Sequence, residues 1–533
     1  MKFDLFKKNF LIYLILFFIF FASIYLGFLH SVYNQDFHHS FFILSMYIDH
    51  QNNFEYFKDI FLQYGLGQTI FYKIIDSFIK INIVTILKVN VVIYAINLII
   101  LFQIFKKISN SKISITLITI LFLIHPYSIY PWPDYLSGFC LSIFILFFLD
   151  QEKKIIPLLY AILLFLAIFF RSTYLINIAL TIIIYTVTCL YFKSNNNLKK
   201  IFLILVSLLT AYFLSLIYYK NLYLWFAESI GFISNYAGYT KHTEIYNLVV
   251  QYVGREGFIF LKIMYYLFRS TLELFDPRNI KNYIFVISIF FNIFFIIQIF
   301  SKKFDVNNFE KKIFFISILG LTGFVQSTML MEIFRNINST IGIIVTMAYI
   351  IEKKKIYLSF VNSKYLKIFN IRLVKLFIII YLIILLFNFK FINYDPKNYQ
   401  TYNNPYFSES KKIKIPIINY YKFVSTIICA SENTKVINIS NDFAISYLCD
   451  DKFVKSKSSM TADALKLIKP NEFERIIING DLKEHEMLIS SKRIEEISNN
   501  KIKMDNFILM KQIESPHMPV NWYGHLLYIY KKK

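Results

Sequence analysis

Uninterrupted apolar runs of membrane length recur along this chain, and no other feature restricts its fold so strongly. A run of roughly 20 apolar residues closes its backbone hydrogen bonds within one helix and crosses the hydrocarbon layer. A membrane barrel would instead show alternating segments of about 10 residues. Charged residues make up only 17% of the 533, where a soluble domain carries about a quarter. The fold class expected is an α-helical polytopic membrane protein.

Spans are expected at residues 10–29, 83–105, 113–124, 135–149, 155–170, 173–192, 201–219, 283–300, 313–330, 340–351 and 376–391, about eleven helices. Lys2, Lys7 and Lys8 precede the first run, which is too long for a signal-peptide core and lacks a small-residue cleavage site, so it reads as a retained helix. Segments 67–81 and 257–275 are shorter and carry Lys73, Asp76, Lys262 and Arg269; they read as helices lying on the membrane surface.

The net charge of +23 sits largely in short loops between the runs. That is the cytoplasmic bias of membrane proteins rather than a nucleic-acid footprint, so no nucleic-acid partner is expected. The Lys-rich segments are 1–8, 106–112, 150–154, 193–200, 301–312 and 352–375. They alternate with segments bearing acids, aromatics or proline at 30–82, 125–135, 171–172, 220–281, 332–338 and beyond 391. The alternation places the N-terminus inside and the C-terminus outside.

Residues 1–393 therefore read as a membrane domain with its first outer loop at 30–82, and 394–533 as a small α/β domain outside the membrane. In the latter, 435–440, 475–479, 507–511 and 526–530 read as strands, and 461–468 and 484–497 as helices. Cys140 and Cys189 fall in spans and read as inert packing residues. Cys429 and Cys449 are either a disulfide or two buried thiols.

No phosphate-binding loop, dinucleotide fingerprint, nucleophile elbow or CxxC pair is present, which argues against a nucleotide-driven pump. The chemistry is expected instead in the outer loops. The stretch QDFHHSFFILSMYIDHQNNFEYFKDIFLQYGLG gathers Asp36, His38, His39, Asp49, His50, Glu55 and Asp59 beside the membrane, where ionisable groups are costly without a purpose. Asp36 can accept a proton from a hydroxyl, hold a divalent metal, or simply cap the next helix. His38 and His39, as neighbours, do not share a helix face; either can contact a phosphate or rest at the interface. Phe54, Phe57 and Phe61 recur at helical spacing, and Glu55 and Asp59 share one side of that helix as substrate-binding candidates or a solvated face.

Asp134, after two prolines and Trp132 in HPYSIYPWPDYLSG, is a second acid for the site or a cap for the next span. Arg171 and Arg335 suit an anionic phosphate, although lone interfacial Arg residues also snorkel; Arg335 is expected in a short turn, EIFRNINST. Tyr236, Tyr239, His242 and Glu244 are candidates for an acceptor groove.

The pattern QDFHHS…YFKDIFLQYG resembles the first outer loop of bacterial membrane proteins of the GT-C glycosyltransferase superfamily, and WPDYLSG and EIFRNINST resemble later segments of that group. The resemblance covers roughly residues 1–390. It implies a many-helix membrane fold, a polyprenyl-phosphate sugar donor, a lipid, glycan or protein acceptor and contact with membrane lipid. It also implies catalytic roles for Asp36 as the first-loop acid and Asp134 as the second-loop acid. Asp36 is followed by Phe37 and His38, not by a second acid; a divalent metal cofactor is therefore left open, and no metal-ligand set is assigned. The expected location is a bacterial inner membrane, with the tail periplasmic. The rival readings are a transporter or flippase of lipid-linked glycans, a polymerase or ligase of another fold, and a cell-surface assembly protein whose outer domain binds a partner. A transporter needs a polar path through the spans, whereas the charges here gather in the outer loops.

Overall fold

The computed structural model describes residues 2–52, 60, 66–150, 157–193, 272, 274–276, 278–327, 332–353, 371–390, 394–430, 435–449, 461–482, 486–498, 506–518 and 525–533. They form a mostly helical membrane protein with a small sheet near the C-terminus. Eight helices precede residue 194: α1 (Lys2–Tyr33), α2 (Phe37–Gln51), α3 (Gly67–Asp76), α4 (Ile83–Ile108), α5 (Ser111–Ile124), α6 (Asp134–Phe148), α7 (Pro157–Phe170) and α8 (Tyr174–Tyr191). Helices Tyr283–Ser301, Asn308–Thr322, Ile333–Ser339, Ile341–Lys353 and Ile371–Asn388 follow.

Among the described residues, Phe10–Tyr33, Ile83–Ile108, Tyr174–Tyr191 and Ile280–Ser301 are long and apolar enough to cross a membrane. Ile333–Ser339 and Ile341–Lys353 make a fifth span if the pair, bent by 66°, is taken as one. Ser111–Ile124, Asp134–Phe148, Leu158–Phe170 and Lys375–Asn388 are shorter apolar helices. The expected count of about eleven is thus not reproduced by length and composition. The expected span 201–219, most of segment 257–275, Glu55, Asp59, Phe54, Phe57, Phe61 and the groove candidates Tyr236, Tyr239, His242 and Glu244 lie outside the described residues.

The helix ends follow from local chemistry. Asn82 accepts from the Val84 and Thr85 amides at 3.0 Å and starts α4; Asn110 does the same for α5 through Lys112 and Ile113. Each satisfies amides that the first helical turn leaves unpaired. The basic segments meet at one end of the bundle. Lys107 pairs with Asp150 at 2.9 Å, Lys353 with Glu310 at 2.7 Å, and Asn110 Nδ2 donates to Glu352 at 2.7 Å.

Helices Asn308–Thr322 and Ile341–Lys353 pack closely because glycines face each other there. A Cβ on Gly342 would lie 2.2 Å from the Ile316 carbonyl oxygen, and one on Gly320 would lie 2.4 Å from the Ile343 nitrogen. Small residues permit this backbone approach, which substitutes for the hydrophobic drive that lipid does not supply. Asn292 closes the neighbouring crossing by donating to the Ile343 carbonyl at 2.8 Å.

The segment EIFRNINST is a helix, Ile333–Ser339, and not the expected turn. Its polar residues support the helix instead of breaking it. Asn338, Ser339 and Thr340 donate to the carbonyls of Phe334, Arg335 and Asn336 at 2.7, 2.8 and 2.7 Å, and burial leaves them no water to prefer.

In the C-terminal part, β1 (Tyr399–Thr401) pairs with β2 (Lys412–Lys414). A four-stranded sheet runs β3 (Lys435–Asn438), β4 (Glu486–Ser490), β6 (Leu526–Lys532), β5 (Phe507–Glu514) in spatial order. The β3–β4 pair is parallel and the others are antiparallel. Strands near 435, 507 and 526 match expectation. Two expectations fail. Residues 475–479 form a wide helical turn, Glu474–Ile478, continuing helix Pro470–Phe473. Residues 486–490 are strand, not helix, with only Ile494–Ile497 helical beyond them. β4 is bonded on both edges, by β3 and β6, and that pairing overrides local helix preference.

Cys429 and Cys449 are disulfide-bonded, with Cα atoms 5.8 Å apart, and Cys140 and Cys189 are buried thiols. The bond closes a loop of sequence separation 20, a constraint worth about 3 kcal/mol through the unfolded chain. Replacing both cysteines with Ala should lower the stability of the C-terminal part by that amount in a denaturant melt. An unchanged melt, or two reactive thiols by mass analysis of untreated protein, would reject the bond.

Candidate active site

The elbow between α1 and α2 is pinned by hydrogen bonds on both sides. Asn34 accepts from the Asp36 amide at 2.9 Å, which turns the chain after α1. Gln35 grips β2 from the side: its Nε2 donates to the Lys412 carbonyl at 2.9 Å, and its Oε1 accepts from the Lys414 amide at 3.0 Å. Asp36 then caps α2, its Oδ1 accepting from the His39 amide at 3.1 Å. Capping, one of the readings open from the sequence, is what the geometry contains, and it does not use up the carboxylate. Oδ2 accepts from His39 Nδ1 at 2.5 Å.

The side-chain bond fixes which His39 nitrogen carries its proton and aligns the ring. That ring packs edge-on against Trp132 at 4.7 Å and near Tyr130 at 5.4 Å between ring centres. His38, whose ring centre lies 4.7 Å from that of His39, turns to the C-terminal part. Its Nδ1 donates to the Asn441 carbonyl at 2.6 Å.

Burial alone would raise the Asp36 carboxyl, but the charge and hydrogen bonds of His39, with His38 beside it, hold it down at about 2. Burial, then the neighbouring His39, pushes His38 down to about 4 against the pull of the Asn441 carbonyl, Asp36 and Asp442. At neutral pH the elbow therefore presents a carboxylate and an uncharged His38.

Asp134, the first residue of α6, is 0% exposed and forms an ion pair with Arg171. Pro133, not Asp134, stands at the cap position of α6. Arg171 also donates from Nε to Thr173 Oγ1 at 3.1 Å, and Thr173 donates to Gln326 at 2.5 Å. Arg335 pairs with Glu332 at 2.8 Å and lies over the Phe334 ring, whose centre is 5.4 Å from that of Tyr130. Burial raises the Tyr130 hydroxyl to about 12, and Asp36, Glu332 and Arg335 all act on it electrostatically.

Ring contacts run from His39 through Tyr130 and Phe334 to Arg335, and Asp134 and Arg171 form a second, separate buried pair. Glu55 and Asp59 lie outside the described residues. Asp49 is buried within α2. Sequence reasoning did not single out Gln35, Tyr130, Glu332, Lys411 or Asn441. Tyr130 and Glu332 adjoin segments that were singled out; Lys411 sits in a Lys-rich tail with no local signal.

No group of three or more His, Cys, Asp or Glu side chains suited to a metal ion occurs among the described residues. Both Asp36 oxygens are engaged by His39. These residues do not fit a divalent cation, and no chemical step below uses one.

No family model matches the chain, and no curated protein matches its sequence. Among solved structures, it is similar to the archaeal oligosaccharyltransferase AglB from Archaeoglobus fulgidus, determined with an inhibitory peptide and a dolichol-phosphate. That match is 11% identical, covers 91% of this chain and 69% of AglB, and has a TM-score of 0.42.

Proposed function

We propose that the chain is a GT-C-type glycosyltransferase of a bacterial inner membrane. It moves a sugar from a polyprenyl-phosphate carrier to a lipid, glycan or protein acceptor on the outer face. In this reading residues 1–393 form the membrane domain and 394–533 the periplasmic α/β domain. The observation that supports it best is the Asp36–His39 couple, held at 2.5 Å in an elbow directly beyond a membrane-length helix.

The acceptor hydroxyl gives its proton to that couple as its oxygen bonds to the sugar's anomeric carbon. The bond from that carbon to the phosphate oxygen breaks, and the phosphate departs as an anion on its lipid. Asp36 orients His39 and stabilises the imidazolium that proton transfer creates. Arg335, planar and permanently charged, faces the departing phosphate. Asp134 and Arg171 brace the floor beneath it. The activated donor supplies the driving force, which fits the lack of a nucleotide motif. The gathering of Asp36, His38 and His39 at one elbow beyond the first span supports a transferase over a transporter.

The test is direct. Purified protein incubated with radiolabelled polyprenyl-phosphate sugars and candidate acceptors should release polyprenyl phosphate and label the acceptor. Failure with a broad donor panel, or reporter fusions placing residue 36 in the cytosol, would overturn the reading.

A further inference from the structure

Lys411 is the only buried lysine among the described residues, 1% exposed. It lies just before β2, more than 370 positions from the elbow. Its Nζ donates to the Ser31 carbonyl at 3.0 Å, on the last turns of α1. The same ammonium lies 5.6 Å from the centre of the Phe37 ring, the first residue of α2. It therefore occupies the inside of the elbow that carries Asp36. The turn that delivers it is strained: Ser408 has φ 76°, and the Lys411 amide donates to the Ser408 carbonyl at 3.1 Å. A non-glycine residue in that region is sterically disfavoured, so the inward aim is held against local preference.

We infer that Lys411 is a positioning residue, a counter-charge that the C-terminal part inserts behind Asp36 to hold the Asp36–His39 couple in working order. An isolated ammonium away from water is costly, and proteins keep one only where a partner or a purpose compensates. The charged or titratable groups facing it are Asp36 at the elbow and His30 on α1. Burial draws its ammonium down to about 7, with Asp36 acting the other way. Its charge is thus lost as pH rises through neutrality, which gives the role a signature.

The role rests on the glycosyl-transfer reading, and two measurements on the full-length protein separate their failures. In thermal melts of Asp36→Asn, Lys411→Met and the double variant, the two losses should be non-additive, because the two opposite charges share one buried elbow. In the transfer assay, Lys411→Met should be slower by about tenfold, the scale of energetic coupling between groups of one network. The wild-type rate should fall as pH rises through about 7, and Lys411→Arg, which stays charged, should carry activity to higher pH. Additive melts overturn the inference whatever the activity. Coupled melts with the alkaline limb unmoved in Lys411→Arg also overturn it, leaving a packing role. Coupled melts with no transfer by the wild type reject the glycosyl-transfer reading and leave the Lys411–Asp36 link standing.

Discussion

Asp36→Asn should lower sugar transfer by about 10²–10⁴-fold, the range a positioned acid–base group contributes, with a fall in thermal midpoint no larger than its coupling to Lys411 entails. Asn is chosen because it caps a helix about as well as Asp, so the amide bond to His39 that starts α2 survives. What it removes is the negative charge. Oδ2 no longer meets His39 Nδ1 as a carboxylate, and an imidazolium formed there has no compensating anion. Initial rates with a labelled lipid-phosphate sugar, alongside a melt in the same detergent, read both halves of the expectation. An Asn variant with full activity would remove Asp36 from the chemistry.

The second large effect concerns stability. Arg171→Met leaves the Asp134 carboxylate buried at 0% exposure without its cation. Removing one partner of such a pair costs about 3–5 kcal/mol, whereas replacing both with apolar residues of similar volume is often neutral. Asp134→Leu combined with Arg171→Met should therefore recover most of the stability that Arg171→Met loses. A double variant no better than the single would show that the pair is not a self-contained unit. Activity of the recovered protein then separates two roles. A stable, active double variant makes the pair a brace. A stable, inactive one places Asp134 or Arg171 in the reaction.

Much of the membrane part was legible in the sequence because its signals are local. The spans at 83–105, 173–192 and 283–300 appear as α4, α8 and Tyr283–Ser301, since an apolar run is a local signal. Asp36 stood out for the same reason, lying directly past the first run. The partners of these residues were not legible. Nothing near Asp134 announces Arg171, and nothing near His38 announces Asn441; each meeting is made by tertiary packing across long sequence distances. The failed expectations share this cause. Residues 486–490 become strand because β3 and β6 flank them, and EIFRNINST becomes helix with its Asn338, Ser339 and Thr340 side chains bonded to helix carbonyls.

The grip of Gln35 on β2 and of His38 on Asn441 spans 377 and 403 positions of sequence. A ribosome finishing α2 has yet to make either partner. The elbow therefore stays open through most of translation and takes its final shape only when the last quarter or so of the polypeptide has emerged and folded, since long-range closure waits on its distant half. A chain cut short anywhere before that point can be inserted in the bilayer and still be inert.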